Sequence, residues 1–413
     1  MITLAKNTRP QKTAAKQEAS RGALAVAAPG ELQVSAPLMA GCIVALILIG
    51  FVAMSSASIE FAAYQYGNPF FHITRYGFHL AVALVGALLV YKVPMNVWER
   101  CSPLLLFAAF ILLMMVLIPG VGREVNGSRR WLSLGVLTLQ ASELAKVCVI
   151  LYLAGYLVRR QQELRASWAG FVKPMVVLFL ITLLLMLEPD FGATVVTVGT
   201  AFGMLFLAGV KLGQFLLVIL SSVMALVLLI ATSPYRLQRW LAFSDPWADE
   251  FKFGSGYQLT QSLIAFGRGE WFGVGLGNSI QKLFFLPESH TDFVFAIYAE
   301  EFGAVGSLIL LALFACLIMQ ILKLGRLAEQ MLKPFHAYVA YGIALMISGQ
   351  VFINIGVNTG MLPTKGLTLP FLSYGGSSLI VCCALMAMAF RIYSELHQGA
   401  ATVSKKSNGG AKS

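Results

Sequence analysis

The chain has 413 residues, of which 58% are hydrophobic and only 12% charged, against roughly 25% charged in soluble globular domains. With repeated apolar runs of about 20 residues, this places it among integral membrane proteins. The net charge of +11 does not indicate nucleic acid as a partner. No long Lys/Arg block occurs, and the basic residues sit mostly in short loops and tails, where membrane proteins carry their topology signal.

Residues 1–35 are polar and basic (Lys6, Arg9, Lys12, Lys16, Arg21) and read as a disordered cytoplasmic tail rather than a secretory signal. Ten spans are predicted, at about 37–58, 75–93, 101–119, 139–158, 171–188, 190–209, 212–232, 292–322, 335–357 and 369–392. The eighth is longer than one crossing needs and is expected to begin outside the bilayer. The fold class is therefore all-α and polytopic: a membrane domain over 36–393, one large periplasmic loop at 233–291, and a second cytoplasmic tail at 394–413. With the N-terminus inside, 19 of the 30 basic residues fall on the inner side, 10 fall outside, and Lys146 lies within a span. That asymmetry puts both termini in the cytoplasm. The six cysteines lie in or beside apolar segments, so no disulfide framework is expected. No CxxC motif or His/Cys cluster suggests structural zinc.

Ionisable groups within spans are costly and direct attention to function. Glu143 and Lys146, three apart at the start of the fourth span, share a helix face. They read equally as a structural ion pair or as the wall of a polar cavity. Arg129 and Arg130, ahead of Trp131, are either snorkelling side chains or ligands for a phosphate group. Their outward position runs against the charge rule and favours phosphate. In Glu188-Pro189-Asp190-Phe191-Gly192 a tight turn is expected, with Asp190 capping the next helix. Glu300 and Glu301, then Gln350 and Asn354, read as interhelical hydrogen-bonding groups, and Gly375 and Gly376 as packing residues.

The large loop holds Trp240, Trp247, Tyr257, Phe266, Trp271, Phe284 and Phe285. That aromatic content argues for a folded segment, with a short amphipathic helix at 257–266. The loop ends in Glu288, His290 and Asp292. Asp292 at a helix mouth suits a general base for a substrate hydroxyl, although a helix cap is the simpler account on chemistry alone. Glu288 with Asp292 could coordinate a divalent cation such as magnesium or manganese, but two carboxylates do not specify one.

Five stretches carry a resemblance: Gly254-Ser255-Gly256-Tyr257-Gln258, Gly273-Val274-Gly275-Leu276-Gly277-Asn278-Ser279, Pro287-Glu288-Ser289-His290-Thr291-Asp292-Phe293, Leu362-Pro363-Thr364-Lys365-Gly366 and Ser373-Tyr374-Gly375-Gly376-Ser377. In this order, over about 36–393, the chain resembles the SEDS family of bacterial cell-wall proteins. Asn278-Ser279-Ile280-Gln281-Lys282-Leu283 resembles the division members more than the elongation members. The resemblance implies a septal peptidoglycan glycosyltransferase of the inner membrane that polymerises lipid II onto a polyprenyl-linked glycan. It implies Asp292 as the catalytic residue, with Arg130, Glu143 and Lys146 at the substrate cavity. Arg129, Glu288 and His290 are further candidates for substrate binding. It also implies a class B penicillin-binding protein, an FtsI-like transpeptidase, as partner, along with other division proteins. A lipid II flippase, an elongation-type polymerase and a recruiting scaffold are the rival readings. Two positions depart from the family pattern: Ala141 stands where proline is usual, and Glu188 where glutamine is usual.

Overall fold

The structure, a computed structural model, describes residues 34–409 except 126, 127, 136, 233, 364 and 365. The predicted tail at 1–35 therefore falls almost wholly outside the described residues. Three long apolar helices come first: α1 (Ala36–Tyr66), α2 (Phe71–Lys92) and α3 (Met95–Leu117). After the loop and sheet segment come α4 (Ala141–Arg159), the short α5 (Gln161–Ala166), α6 (Trp168–Leu187), α7 (Phe191–Leu207) and α8 (Leu212–Ala231). In the large loop lie α9 (Pro234–Ser244) and α10 (Tyr257–Gly269), the latter on the predicted amphipathic segment. The chain ends with α11 (Val294–Gln330), α12 (Pro334–Asn358) and α13 (Gly376–Gly409).

Among the described residues, eight helices are long and apolar enough to cross a membrane, and Phe191–Leu207 and Leu212–Met224 are shorter apolar helices. Together they match the ten predicted spans. The all-α expectation needs one correction. Residues 122–140 form a three-stranded antiparallel sheet, β1 (Gly122–Val125), β2 (Ser128–Leu134) and β3 (Leu137–Gln140). Leu139 and Gln140, assigned to the fourth span, belong to β3, and the helix starts at Ala141. Apolar and polar residues alternate through Leu132, Ser133 and Leu134, as a half-buried strand requires, and Gly135 supplies the positive φ of 72° for the β2–β3 turn. Other boundaries move as well: the first helix runs on to Tyr66 rather than 58, the third begins at Met95 rather than 101, the eighth runs on to Gln330 rather than 322, and the last begins at Gly376 rather than 369.

The helices do not share burial equally. In α4, 78% of the apolar window is enclosed by protein, in α12 67%, and in α2 only 17%. α4 and α12 therefore form the interior of the bundle, and α1, α2, α3 and α6 present most of their surface outward. Close approach fixes the last helix: a Cβ on Gly376 would meet the His79 ring of α2 at 2.5 Å. The packing role expected of Gly376 is thus confirmed.

α11 is broken. Gly303 has φ 69° and ψ −168°, a region essentially closed to side chains. The break strands amides and carbonyls that water cannot reach, and the loop after α10 takes them up. Ala304 N donates to Glu270 O at 2.8 Å and Val305 N to Trp271 O at 3.1 Å. In return Val274 N donates to Glu300 O at 3.0 Å and Gly275 N to Glu301 O at 3.1 Å. Irregular backbone at membrane depth is tolerated only when it is paired in this way.

The acids beside the break are spent on the same loop. Glu300 accepts from Ile280 N, Gln281 N and Ser279 Oγ and pairs with Arg268 at 3.0 Å. Glu301 pairs with Lys282 at 2.9 Å and accepts from Ser56 at 2.6 Å. Glu300 binds the loop alone, whereas Glu301 binds both the loop and Ser56 of α1, the interhelical hydrogen bond expected of it.

Gly303→Ala is expected to lower the thermal unfolding midpoint sharply. The backbone strain alone costs about 1–3 kcal/mol, and the new Cβ would collide with the amide nitrogens of Gly273 and Phe272. Gly349→Ala in α12, where a Cβ meets nothing within 4 Å, is the control and should be neutral or better in the same measurement.

Candidate active site

The segment before α11 doubles back tightly. Glu288 has φ 56°, and its carbonyl accepts from Thr291 N at 3.2 Å and Phe293 N at 3.1 Å. This leaves Asp292 at the mouth of α11, outside the spans. The carbonyl of Asp292 is held by two asparagines on successive turns of α12, Asn354 Nδ2 at 2.9 Å and Asn358 Nδ2 at 3.0 Å. Asn354 also donates to Leu367 O at 2.6 Å, and Asn358 Oδ1 accepts from Ala296 N at 3.2 Å. One pair of amides thus fixes Asp292, the first turn of α11 and the segment after 366.

The carboxylate of Asp292 is not spent on a helix cap. The cap position is Phe293, with no side-chain cap bond, and among the described residues no hydrogen bond to the carboxylate is formed. The residue is partly buried, not sealed. Gly366 faces it so closely that a Cβ there would lie 2.9 Å from Oδ2. Burial is the main reason the carboxyl is pushed up to about 7; Glu288 adds to the rise, Arg130 opposes it and Asp190 adds a smaller push.

Arg130 arrives from β2. Its Nε donates to Glu188 O at 3.2 Å and its Nη2 to Pro189 O at 2.6 Å, and Nη1 lies 4.0 Å from Asp190 Oδ1. Asp190 caps α7 as expected, accepting from Ala193 N at 3.2 Å. It also accepts from Gln140 Nε2 at 3.0 Å and Ser142 Oγ at 2.8 Å, which ties in the start of α4. Gly192 lets this turn approach the segment opposite Asp292; a Cβ there would stand 2.9 Å from Gly366 O. Three turns therefore meet at one point: 188–192, 288–293 and 366–367.

Glu188 is fully buried, and neither carboxyl oxygen has a partner among the described residues. Burial, and secondarily Asp190, pushes its carboxyl up to about 8 against the pull of Arg130. It holds a proton at neutral pH and so adds no charge beside Asp190.

The other candidates separate. Glu143 and Lys146 do pair, at 2.8 Å, and both are buried in the interior of α4. Ser142, one residue earlier, joins them to the Asp190 network. Arg129 does not join Arg130. It lies on the opposite face of β2, exposed, and pairs with its cross-strand neighbour Glu124 at 3.1 Å. Glu288 is exposed at the rim and accepts from Thr291 Oγ1 at 2.6 Å. His290 sits among rings, 5.1 Å from Phe61, 4.9 Å from His72 and 5.9 Å from Tyr374, and burial pushes its imidazole down to about 4. It is a neutral packing group. Thr364 and Lys365 of the glycine-punctuated turn lie outside the described residues. Sequence reasoning missed the paired action of Asn354 and Asn358. Their four-residue spacing was the available signal.

The family model described as a cell cycle protein (FtsW/RodA/SpoVE) matches residues 37–398. The chain is 54% identical over 356 residues to the probable peptidoglycan glycosyltransferase FtsW of Pseudomonas fluorescens, covering 86% of this chain and 87% of the relative. It is 55% identical over 353 residues to the protein of the same name from Saccharophagus degradans, covering 86% and 91%. Among solved structures it is similar to a chain of a peptidoglycan synthase complex studied for its coordination of polymerization and crosslinking. That match has a TM-score of 0.72 at 28% identity and covers 87% of this chain and 98% of the other. The rod shape determining protein RodA of Thermus thermophilus matches with a TM-score of 0.65 at 27% identity, covering 89% and 99%.

Glu188→Gln should flatten the dependence of stability on pH. Above about 4.5 the unfolded chain gives up this proton, while the folded chain keeps it to about 8. The folded state then binds more protons than the unfolded, so stability falls as pH rises through that window. Thermal unfolding across the window measures it; a variant that keeps the parent's slope would show Glu188 ionised in the fold.

Proposed function

The chain belongs to the FtsW/RodA/SpoVE family, and we propose that it is a peptidoglycan glycosyltransferase that polymerises lipid II in septal wall synthesis, with Asp292 as general base. The observation that carries the assignment of the base is the state of that side chain. Asp292 is positioned through its carbonyl, its carboxylate is uncommitted among the described residues, and it is pushed up to about 7. A base is most effective when its pKa lies near the working pH.

In the proposed reaction Asp292 takes the proton of the acceptor sugar hydroxyl. The hydroxyl oxygen forms a bond to the anomeric carbon of the growing glycan on the opposite side from its diphosphate. The bond from that carbon to the diphosphate oxygen breaks, the electron pair leaves with the diphosphate, and the carbon is inverted. The charge that develops on the leaving group needs a fixed cation. Arg130 is the cation the geometry favours, because its charge is felt at Asp292 and its Nη1 lies only 4.0 Å from Asp190. Lys146 is committed to Glu143, and Arg129 to Glu124. A divalent cation accompanying the diphosphate belongs to the same proposal, with Asp292 and Glu288 as the carboxylates it would meet. The polyprenyl chain would lie along the apolar outer faces of the helices.

The placement follows from the same reading. The protein would sit in the inner membrane at the septum, with both termini cytoplasmic as the basic-residue asymmetry requires. Its similarity to a chain of a peptidoglycan synthase complex supports work beside a crosslinking partner, a single-span class B penicillin-binding protein, with other division proteins.

Asp292→Asn is expected to reduce glycan synthesis from labelled lipid II by about 10²–10⁴-fold, with an unfolding midpoint close to the parent's. Normal chains from the purified variant would remove Asp292 from the role, and lipid translocation without chains would favour a flippase. Because only the ionised carboxylate accepts the proton, the parent's rate should rise with pH and level off above about 7. A pH–rate profile of kcat/KM, which reports the groups of the free enzyme, reads this directly.

A further inference from the structure

A second polar site lies at the other end of α4. Ser142, in its first turn, binds Asp190; Arg159, its last residue, is about 26 Å away along the helix axis. There Arg159 faces α3 across a cavity of about 640 Å³ whose α3 wall is Asn96, Glu99, Arg100 and Pro103. These four stand at i, i+3, i+4 and i+7, one face of one helix.

The local chemistry keeps this face open and basic. Pro103 has no N–H for the carbonyl of Glu99, and Ser102 Oγ takes that carbonyl at 2.9 Å. Gly155 lets the Arg159 guanidinium fold back along α4 toward α3: a Cβ at 155 would stand 2.8 Å from Nη1 and 2.7 Å from Ser102 Oγ. The neighbouring cations Arg160 and Lys173 are spent on Glu163. Among the described residues, Arg100 and Arg159 have no carboxylate within salt-bridge distance. Two guanidinium groups against the single carboxylate of Glu99 leave the cavity one positive charge.

We propose that this cavity binds the phosphodiester of an anionic phospholipid, in the leaflet opposite the one that faces Asp292. Guanidinium groups match phosphate oxygens in a bidentate fork, and basic pockets between spans near the membrane surface suit anionic headgroups. Lipid is favoured over a free phosphate by what adjoins the cavity. Directly after Pro103 the outward face of α3 carries Leu104, Phe107 and Ile111, all exposed and at the spacing of one stripe. An acyl chain would run along it while the headgroup sits between the two arginines. The net charge selects phosphatidylglycerol over the zwitterionic phosphatidylethanolamine.

Native mass spectrometry of the full chain, released from detergent after exchange into defined lipids, tests this. Phosphatidylglycerol should be retained over phosphatidylethanolamine and should survive millimolar inorganic phosphate. The Arg100→Gln/Arg159→Gln pair should lower its retention about tenfold or more. Glu99→Gln should raise retention; Ser102 uses only the backbone of Glu99, so this variant keeps the fold and carries the test even where the double variant does not. Unchanged retention in a folded double variant, a preference for phosphatidylethanolamine that Glu99→Gln abolishes, or displacement by inorganic phosphate would each overturn the assignment.

Discussion

The carbonyl oxygen of Asp292, held between the amides of Asn354 and Asn358, is the contact on which the site depends. A carboxylate at a helix mouth ordinarily finds the free N–H groups of the first turn and is used up there. Here the backbone is anchored from the side instead. Asn358 serves the first turn of α11 through Ala296 N, and the side chain of Asp292 is left uncommitted. Because α12 is mostly enclosed by protein, the two asparagines stand on a part of the bundle that is hard to move. Sites built on rigid elements keep their geometry better than sites carried by loops alone, and this loop borrows its rigidity from a buried helix.

Charges in this apolar frame are settled in two different ways. Glu143 with Lys146 and Glu301 with Lys282 are close, buried pairs at 2.8 and 2.9 Å. Such pairs offset much of their own desolvation, and removing one partner costs about 3–5 kcal/mol. Glu188 and Asp292 have no such partner and are moved toward the neutral form instead. The difference between those two is access. Glu188 is closed off, so its proton stays. Asp292 is only partly buried, so it can exchange a proton with whatever docks against it. A perturbed carboxyl in a reachable position is a functional candidate; the same perturbation in a sealed one is a packing solution.

Much of this was legible in the sequence because it rests on local rules. Span length follows from bilayer thickness, the Glu143–Lys146 pair from helical spacing, the Asp190 cap from its place after Pro189, and the α10 helix from apolar periodicity. What was not legible depends on pairing at a distance. Arg129 and Arg130 are adjacent in the chain and look alike, yet strand alternation sends them to opposite faces, one to Glu124 and one to the 188–190 turn. The sheet at 122–140 was missed because strands of four and seven residues between two spans read as loop. Gly303 reads as one small residue in an apolar helix. Only the loop that pairs with the broken backbone shows that its conformation is required.

Arg130 shows why position and chemistry are hard to separate at such a site. Two of its guanidinium nitrogens donate to the carbonyls of Glu188 and Pro189, so it ties the sheet to the 188–192 turn and, through Gly192, to the segment facing Asp292. The same positive charge lowers the cost of ionising Asp292, Glu188 and whatever anion enters beside them. A lysine would supply the charge but not the planar fork that reaches two carbonyls at once. The structural duty falls on Nε and Nη2, which hold the turn, and the electrostatic one on the charge of the whole group, whose Nη1 stands 4.0 Å from Asp190. Uncharged donors could replace the first duty, but the second requires a cation that cannot lose its proton next to a carboxyl that must.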